Sequence, residues 1–476
     1  MCPHGSIWVG AIMTATQSMN GNQARNELAS RFESRLSTNP LLSRQMVSFQ
    51  GNKQTPGFRW MKYKEGFSSD LVAALIDEYN PEAVLDPFAG AGTAPVVAAG
   101  KGKAATGIEI MPVGVLAGAA IAHAANGASA AELRTAGQAM LDRVISEAPA
   151  ASRFAFPHVR ITERAFPAQN ETEIAKAREY LASVNEDSIK SMLDLACMSV
   201  LEDASYTRKD GQFLRWDYRS GRSLKSKADL GPIAVFHEAL QAKLDEMCSD
   251  TELLKSRFGN GCRPTLRTGS CLDLLKDMPS ETFDLVVTSP PYANRYDYTR
   301  TYALELAWLG FDRKAFSDLR QSMLTATVEN KSKRQRLSTL YEGTSESLHK
   351  AMHMCEQEQA LTEVLVQLEH RAHELSNKNV IRLIEGYFLE MALVVAELGR
   401  IVRPSGVVVM VNDNVQYHGE EVPVDFILGD FAEQSGFDCT DIWVLPTGKG
   451  NSSQQMARFG RRELRKCVYK WVRRDG

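Results

Sequence analysis

The sequence has no long apolar run and no basic region ahead of an apolar segment at its start. No stretch approaches the roughly 18 apolar residues that a membrane-spanning helix requires, so we expect no membrane contact. The only early apolar patch, residues 7–12, is short and follows no basic residues, so we predict no signal peptide.

Paired metal ligands are also lacking. The 8 cysteines are scattered without a C-x-x-C pair, and the 9 histidines show no ligand spacing around them. We therefore expect no metal site. Scattered cysteines without a disulfide framework are typical of the reducing cytoplasm, which is the location that we predict.

Neither sign of charge dominates. The 476 residues carry 55 Lys plus Arg and 58 Asp plus Glu, a net charge of −3, and 44% of the residues are hydrophobic. This composition is ordinary for a globular protein and excludes collagen, a coiled coil and wholesale disorder. The length indicates about three modules. A near-neutral sum neither supports nor excludes a nucleic-acid partner, because the distribution of charge matters more.

Short buried-strand patterns recur along the chain and predict an α/β fold. The first, residues 83–88, leads through a glycine-rich turn and a small-residue helix to a second strand at 104–110. Five further strands are predicted at 264–270, 283–289, 406–413, 439–445 and 466–472. Helical spacing predicts a helix at 68–79, with Ser68 or Ser69 as N-cap, and another at 381–400, with a turn at 404–406. Seven strands with this opening predict a doubly wound, Rossmann-like sheet.

Two long segments with helical patterns interrupt the predicted sheet. Both exceed the length of ordinary loops, so each should carry structure of its own. The predicted organisation is a flexible N-terminal arm at 1–50, the first half of the sheet at 51–121, a helical insertion at 122–261, a strand and loop at 262–310, a second helical insertion at 311–379 and C-terminal strands at 380–476.

The glycine-rich turn after the first strand reads Asp-Pro-Phe-Ala-Gly-Ala-Gly-Thr from Asp86 to Thr93. Glycines at a strand-to-helix turn let a ligand approach the backbone, although the turn can also serve only to pack a helix on a sheet. The third glycine of a dinucleotide motif is replaced by Pro95, which argues against nicotinamide. Asp86 suits a cation such as the amino group of S-adenosylmethionine. Glu109, 23 residues further on, suits two ribose hydroxyls.

The second motif, Thr-Ser-Pro-Pro-Tyr, directly follows the predicted strand at 283–289. Its two prolines fix the backbone and leave the Pro290 carbonyl without a role in the sheet. The Ser289 hydroxyl and this carbonyl can accept both hydrogens of an exocyclic NH₂ group, and Tyr292 can stack on a planar base. The alternative is a strand that simply ends in a proline turn.

Together the two motifs resemble those of the DNA amino-methyltransferases, which act on cytosine N4 or adenine N6. The resemblance covers residues 57–127 and 265–309, and the last hundred residues more loosely. It implies a Rossmann-like, seven-stranded, S-adenosylmethionine-dependent methyltransferase sheet, with 51–121 as its cofactor-binding half and 262–310 as its catalytic strand and loop.

The resemblance also implies roles for individual residues. Residues 62–68 are similar to the motif that precedes the glycine turn in this family. The implied cofactor contacts are Phe67, Ser68, Asp86, Phe88, Gly90, Gly92, Thr93, Glu109 and Ser270, the last where family members often have an acidic residue. The implied catalytic residues are Ser289, Pro290, Pro291 and Tyr292.

The identity of the target base depends on Ser289. Serine at the first catalytic position is the form associated with cytosine N4, whereas adenine enzymes more often carry Asp or Asn. We therefore predict cytosine N4, with adenine N6 as the alternative and an RNA guanine-N2 enzyme as a more distant one. C5-cytosine enzymes need a Pro-Cys dipeptide, which is absent. From another class, the chain could be a non-catalytic, cofactor-binding specificity subunit.

Basic residues interleaved with aromatic residues predict contacts to double-stranded DNA, and are densest at 206–222. The candidates are Arg208, Lys209, Arg215, Arg219 and Arg222 in that segment, Arg295 and Arg300 after the catalytic motif, and Lys449 and Arg458 in a closing basic run that extends to Arg465 and Lys466. A network of Asp and Arg that packs a loop is the alternative at 206–222. The order of the two motifs differs from that of many family members, so the position of their recognition domain cannot be transferred to this chain. We propose 122–261 as the main target-recognition element, and 311–379 as a second clamp on the DNA. A restriction or phage-defence partner is expected.

Overall fold

The computed structural model describes residues 22–210, 213–222, 231–258, 261–343, 346–446 and 464–475. Within these ranges the strands are β1 (Leu36–Ser37), β2 (Ala83–Asp86), β3 (Ala104–Glu109), β4 (Thr207–Asp210), β5 (Phe213–Trp216), β6 (Thr265–Thr268), β7 (Phe283–Thr288), β8 (Val402–Asp413), β9 (Val415–Tyr417), β10 (Glu420–Val422), β11 (Phe437–Val444) and β12 (Lys466–Arg473).

The helices of the same ranges are α1 (Gln23–Phe32), α2 (Ser69–Tyr79), α3 (Thr93–Gly100), α4 (Pro112–Ala125), α5 (Ala130–Ile145), α6 (Ala168–Leu181), α7 (Asp187–Val200), α8 (Phe236–Phe258), α9 (Cys271–Leu274), α10 (Tyr298–Thr301), α11 (Ala303–Trp308), α12 (Arg313–Ser322), α13 (Arg334–Tyr341), α14 (Ser347–Gln357), α15 (Gln359–His370), α16 (Asn379–Ile401) and α17 (Val424–Gln434). None of these helices is long and apolar enough to cross a membrane.

The described chain divides into two compact units. The first unit contains the residues up to Arg44, Cys271–Tyr296 and the residues from Leu324 onward. The second unit contains Gln45–Ser270 and Asp297–Met323.

Five strands form the sheet of the first unit, in the order β1-β11-β12-β8-β7. β7 and β8 run parallel, as do β1 and β11, whereas β12 is antiparallel to both of its neighbours. The central strands are buried on both faces, which is why their sequences are continuous apolar runs rather than alternating ones. Helix α16 packs in this unit with most of its residues buried. The Ser-Pro-Pro-Tyr motif, residues 289–292, follows β7 here.

The second unit contains the parallel strands β2, β3 and β6 in that order, and a group of helices. All four residues of β2 are buried, as its apolar sequence requires. Helix α2 begins as predicted, because the Ser68 hydroxyl accepts a hydrogen bond from the backbone N–H of Leu71 at 3.2 Å. The parallel strands end at one edge, where the backbone N–H of Gly269 donates to the carbonyl of Glu109 at 2.9 Å.

The predicted fold class is confirmed. The structure is mixed α/β, with a large, mostly parallel set of eight strands flanked by helices. Of the six pairings of these strands within the two units, four are parallel. The seven predicted strands are all present, with ends that differ by up to four residues. The eighth is the two-residue strand β1, which pairs with β11.

The expectation of a flexible arm at 1–50 needs correction from residue 22 onward. Helix α1 lies in this region, and Phe32 is fully buried against Phe426 with ring centroids 5.9 Å apart. Arg25 also donates to Glu363 at 2.5 Å. Two apolar side chains one turn apart, Leu28 and Phe32, anchor a helix whose composition is otherwise polar. Residues 1–21 lie outside the described part of the chain.

The predicted turn at 404–406 is part of strand β8. Phe283 pairs with Val402 and Leu285 with Val407, so this strand carries extra residues in a bulge. Ser405 has a positive φ of 61°, which accommodates the bulge. Two antiparallel hairpins, β4–β5 and β9–β10, were not predicted. The first of them lies inside the segment that was expected to be helical.

Candidate active site

The glycine turn of the second unit is built for close backbone approach. Gly90 and Gly92 have positive φ values of 54° and 79°, a conformation that favours glycine. A Cβ on Gly92 would lie 3.0 Å from the Cα of Gly118, and one on Gly114 would lie 2.4 Å from the carbonyl oxygen of Gly90. Helix α4 therefore packs directly on the turn. Gly114 and Gly118 were not predicted, although their spacing of four within an apolar helix was a readable signal.

Glu109 ends β3 and holds the turn in place. Its carboxylate accepts hydrogen bonds from the backbone N–H groups of Gly90 and Met111, both at 2.6 Å. Burial raises the pKa of Glu109 to about 7, against the opposing effect of these two hydrogen bonds. A small pocket lies beside it, lined by Ala89, Gly90, Gly92, Gly107, Glu109, Gly114, Val115, Gly118, Leu266 and Arg267.

Asp86 lies at the end of β2 with 1% of its surface exposed, and its carboxylate accepts a hydrogen bond from the backbone N–H of Phe88 at 3.0 Å. Thr93 is buried at the start of α3, Ser270 is buried after β6, and Phe88 is half-buried. A buried carboxylate at a strand end, beside a glycine turn and a second carboxylate, fits a ligand that carries an amino group and vicinal hydroxyls.

The segment at 62–68 lies against the same turn. The Tyr63 ring and the Glu65 carbonyl would meet a Cβ on Gly90 at 3.0 and 3.2 Å. Asn52 holds the end of this segment, because it donates to the carbonyl of Phe67 and accepts from the backbone N–H of Ser69. Phe67 and Ser68 are both buried. The sequence had not indicated Asn52.

The Thr-Ser-Pro-Pro-Tyr motif, which is predicted to be catalytic, lies at the end of β7 in the first unit. The Ser289 and Tyr292 hydroxyls are 3.3 Å apart. Among the described residues, no group donates a hydrogen bond to the carbonyl of Pro290. The Ala293 carbonyl accepts a hydrogen bond from the Tyr417 hydroxyl, which fixes the backbone after the motif. The Ser289 hydroxyl and the Pro290 carbonyl are thus acceptor groups of consecutive residues, on a loop whose backbone is held at Ala293.

The hairpin β4–β5 presents arginines together with aromatic rings. The Arg222 guanidinium lies 3.6 Å from the centroid of Trp216, and that of Arg300 lies 5.0 Å from the centroid of Phe213. Arg215 keeps 55% of its side chain exposed, and Arg208 is 3.5 Å from Asp210. Arg215, Arg222 and Arg300 are exposed, and Arg208 is half-buried.

The structure contradicts the prediction that Lys209 contacts DNA. Only 2% of its side chain is exposed, and it forms an ion pair with Glu305, which is equally buried, and a longer one of 3.7 Å with Glu202. In a β-strand neighbouring side chains point to opposite faces, so Lys209 points inward where Arg208 points outward. Arg219 also makes internal contacts, to Asp217 and to the carbonyls of Gly231 and Pro232.

The remaining basic candidates differ in their surroundings. Arg295 is half-buried with a positive φ of 69°. Lys449 and Arg458 lie outside the described residues. Arg465, from the same basic run, is paired with the buried carboxylate of Asp425 at 2.7 Å and so does not serve a surface contact. In the described ranges, no three His, Cys, Asp or Glu side chains cluster in a way that could hold a metal ion.

Comparison with known proteins gives long matches. The chain is 40% identical over 464 residues to the type II methyltransferase M.AvaI of Nostoc sp. (strain PCC 7120 / SAG 25.82 / UTEX 2576), covering 93% of this chain and 92% of that protein. M.AvaI of Anabaena variabilis gives the same values. The type II methyltransferase M.BsoBI of Geobacillus stearothermophilus is 38% identical over 460 residues, covering 90% and 88%. No family model and no solved structure matches significantly.

The buried lysine gives a stability prediction. Lys209→Met should lower the free energy of unfolding by about 3–5 kcal/mol, because it leaves the Glu305 carboxylate buried without its cation. Arg215→Met, on the exposed face of the same hairpin, should change it by less than about 0.5 kcal/mol. Urea unfolding of both variants measures the difference. Equal stabilities would contradict the internal role of Lys209.

Proposed function

We propose that this chain, which belongs to the family of type II methyltransferases, transfers a methyl group from S-adenosylmethionine to the exocyclic N4 of cytosine in double-stranded DNA. Its family supports the general part of this proposal, that the chain is a DNA methyltransferase of the restriction–modification type, but not the choice of base. The observation that supports the amine as target is the pair of acceptors after β7, the Ser289 hydroxyl and the Pro290 carbonyl.

An exocyclic amine is a poor nucleophile, because its lone pair is delocalised into the ring. Hydrogen bonds from both amine hydrogens to Ser289 and to the Pro290 carbonyl favour a pyramidal nitrogen with a localised lone pair. The lone pair could then attack in line the methyl carbon that S-adenosylmethionine would supply, breaking its bond to sulfur. The thioether would leave, and the methylated amine would release one proton to solvent. The rigid prolines hold the acceptors in position, and positioning of this kind provides much of the acceleration.

The second unit contains the residues that would hold the cofactor. Asp86 would accept from its amino group, Glu109 from its ribose hydroxyls, and the glycine turn would admit its methionine part. S-adenosylmethionine, when bound, supplies an electrophilic methyl group. The cofactor contacts of Phe67, Ser68, Phe88, Thr93 and Ser270 belong to the same proposal.

We place DNA contacts on the exposed arginines of the hairpin β4–β5 and on Arg300. Stacked guanidinium groups can lie along phosphates or reach base edges. Residues 122–261, which include this hairpin, would form the target-recognition element, and 311–379 a second clamp. A base inside a duplex must be flipped out to reach the catalytic loop, and Tyr292 would stack on it.

Two further parts of the proposal concern the cellular setting. A restriction enzyme of matching specificity is the partner that a type II methyltransferase implies. The seven cysteines within the described residues are buried free thiols, which supports a reducing cytoplasm as the site of action.

Two alternatives remain open to experiment. Adenine N6 uses the same pair of acceptors, so the geometry of Ser289 and Pro290 accommodates either amine. A non-catalytic specificity subunit is the alternative from another class, and the intact Ser-Pro-Pro-Tyr motif argues against it, since a subunit without activity has no need for both prolines.

Nucleoside mass spectrometry tests the proposed function. DNA from cells that express the chain should contain N4-methylcytosine, and DNA from cells that express Ser289→Ala should contain at least tenfold less, because one amine acceptor is lost. N6-methyladenine instead would overturn the base assignment while preserving the mechanism. Neither mark, with cofactor and DNA binding intact, would favour the specificity subunit.

Cofactor affinity should depend on pH through Glu109. Its pKa, raised to about 7 by burial, means that the carboxyl is largely protonated at pH 6 and ionised at pH 8. Only the ionised form accepts from both ribose hydroxyls, so the affinity should rise roughly tenfold between these values. Calorimetric titration of S-adenosylmethionine measures this, with Glu109→Gln as the control for titration of the ligand. A variant that keeps the same pH dependence would contradict the role.

The hairpin arginines should contribute to the salt dependence of DNA binding. Replacing Arg215 and Arg222 by Met should weaken binding, and should reduce the slope of log affinity against log salt by about 2, because two phosphate contacts are lost. Lys101→Met, outside both insertions, is the matched charge control and should leave the slope unchanged. Fluorescence anisotropy with a DNA duplex gives the slopes. Equal slopes for the double variant and the control would remove the hairpin from the interface.

A further inference from the structure

Lys466 stands beside the catalytic tyrosine. It begins β12 and lies directly opposite Asp413, the last residue of β8, in the antiparallel register. Its Nζ is 3.6 Å from Oδ1 of Asp413 and 5.6 Å from the centroid of the Tyr292 ring. The side chain of Lys466 is only 19% exposed. A mostly buried cation therefore lies against the aromatic face that follows the two prolines.

The surroundings keep this lysine charged. Burial alone would lower the pKa of Lys466, but Tyr292 and Asp413 outweigh it and raise the pKa, while Arg44 opposes them. Burial raises the pKa of the Tyr292 phenol, which stays protonated near neutral pH, although Lys466 and its hydrogen bond oppose the shift. Burial likewise raises the pKa of Asp413 against Lys466 and Arg44.

The backbone of the loop is fixed independently of this lysine. The backbone N–H of Asn294 donates to the Tyr292 carbonyl at 2.7 Å, and Tyr417 holds the Ala293 carbonyl. The Tyr292 hydroxyl lies 3.3 Å from the Ser289 hydroxyl, and the Lys466 ammonium lies over the Tyr292 ring.

We propose that Lys466, held by Asp413, is a positioning residue that fixes the ring of Tyr292 for stacking on the target base and thereby aligns the amine at Ser289. This inference deepens the proposed function and rests on it. The lysine touches neither reacting atom; it acts through Tyr292, by charge and by contact with the ring face.

The same strand offers a matched control. Lys470 on β12 faces Asp441 of β11 in register and is paired with it at 3.9 Å, with 22% of its side chain exposed. It therefore reproduces the residue type, the strand, the carboxylate partner and the degree of burial of Lys466. If Lys466 served only to join two strands, the two lysines would behave alike.

Single-turnover transfer of labelled methyl groups to DNA, counted on any base, is the first test. Lys466→Met should lower the rate roughly ten- to hundredfold, the loss that misplacement of a reacting group causes, with cofactor affinity within about twofold of the parent. Lys466→Arg should recover most of the rate. Lys470→Met should stay within about twofold. A normal rate for Lys466→Met, or an equal loss for Lys470→Met at equal thermal stability, would overturn the proposal.

A double-mutant cycle distinguishes action through the tyrosine from a general structural effect. Tyr292→Leu removes both the ring and the hydroxyl, so adding Lys466→Met to it should lower the residual rate by less than about twofold. Multiplicative losses would show that Lys466 acts on something other than Tyr292, and would overturn the assignment even if the single variant is slow.

A spectroscopic readout keeps the test independent of activity. With tyrosine labelled at Cζ, the carbon resonance assigned to Tyr292 by its absence in Tyr292→Phe should shift in Lys466→Met and not in Lys470→Met. If the parent protein transferred no methyl group to any DNA, the proposed function would fail, and an unshifted resonance would separately contradict the contact. A shifted resonance with normal transfer rates would overturn the positioning role.

Discussion

The Glu109 carboxylate holds together the backbone segments at the strand ends of the second unit. Its side chain binds the backbone of Gly90 in the turn after β2 and of Met111 before α4, and its own carbonyl accepts from Gly269 after β6. Three chain segments that meet at the ends of parallel strands are thus fixed by one residue. This arrangement has an energetic cost, seen in the raised pKa of Glu109, because a carboxylate is held where water is scarce. In its ionised form, a buried carboxylate of this kind is a strong hydrogen-bond acceptor for the hydroxyl groups of a ligand.

The glycines follow from that constraint. Since Glu109 draws the turn and the beginning of α4 together, no side chain fits where Gly114 faces the carbonyl of Gly90. The sequence motif around Gly90 and Gly92 is readable because the turn itself needs positive φ. Gly114 has ordinary helical geometry, and its requirement comes from another segment, so local patterns give it little weight.

The difference between local requirements and requirements set by a distant segment also explains which features could be predicted from the sequence. Strands such as β7 and β8 were readable because they are buried apolar runs, and the Ser-Pro-Pro-Tyr loop was readable because its prolines directly follow the end of a strand. The burial of Lys209 could not be predicted, because it depends on Glu305, a residue 96 positions away. Helix α1 was missed for the related reason that Phe32 finds its partner, Phe426, only in the folded chain. Short hairpins and the bulge in β8 are likewise set by partners in other segments.

In the proposed mechanism, the loop after β7 cannot by itself choose between cytosine and adenine. Ser289 and the Pro290 carbonyl offer two acceptors to an amine, and the amines of cytosine and adenine each present two hydrogens in one plane. Under the proposed function, the loop could therefore activate either base, and Tyr292 could stack on either ring. Discrimination must come from groups that contact the remaining ring edge or that limit the size of the flipped base. A residue such as Lys466, which fixes the plane of Tyr292, narrows the positions that a stacked ring can take, and so links alignment of the amine to the choice of base.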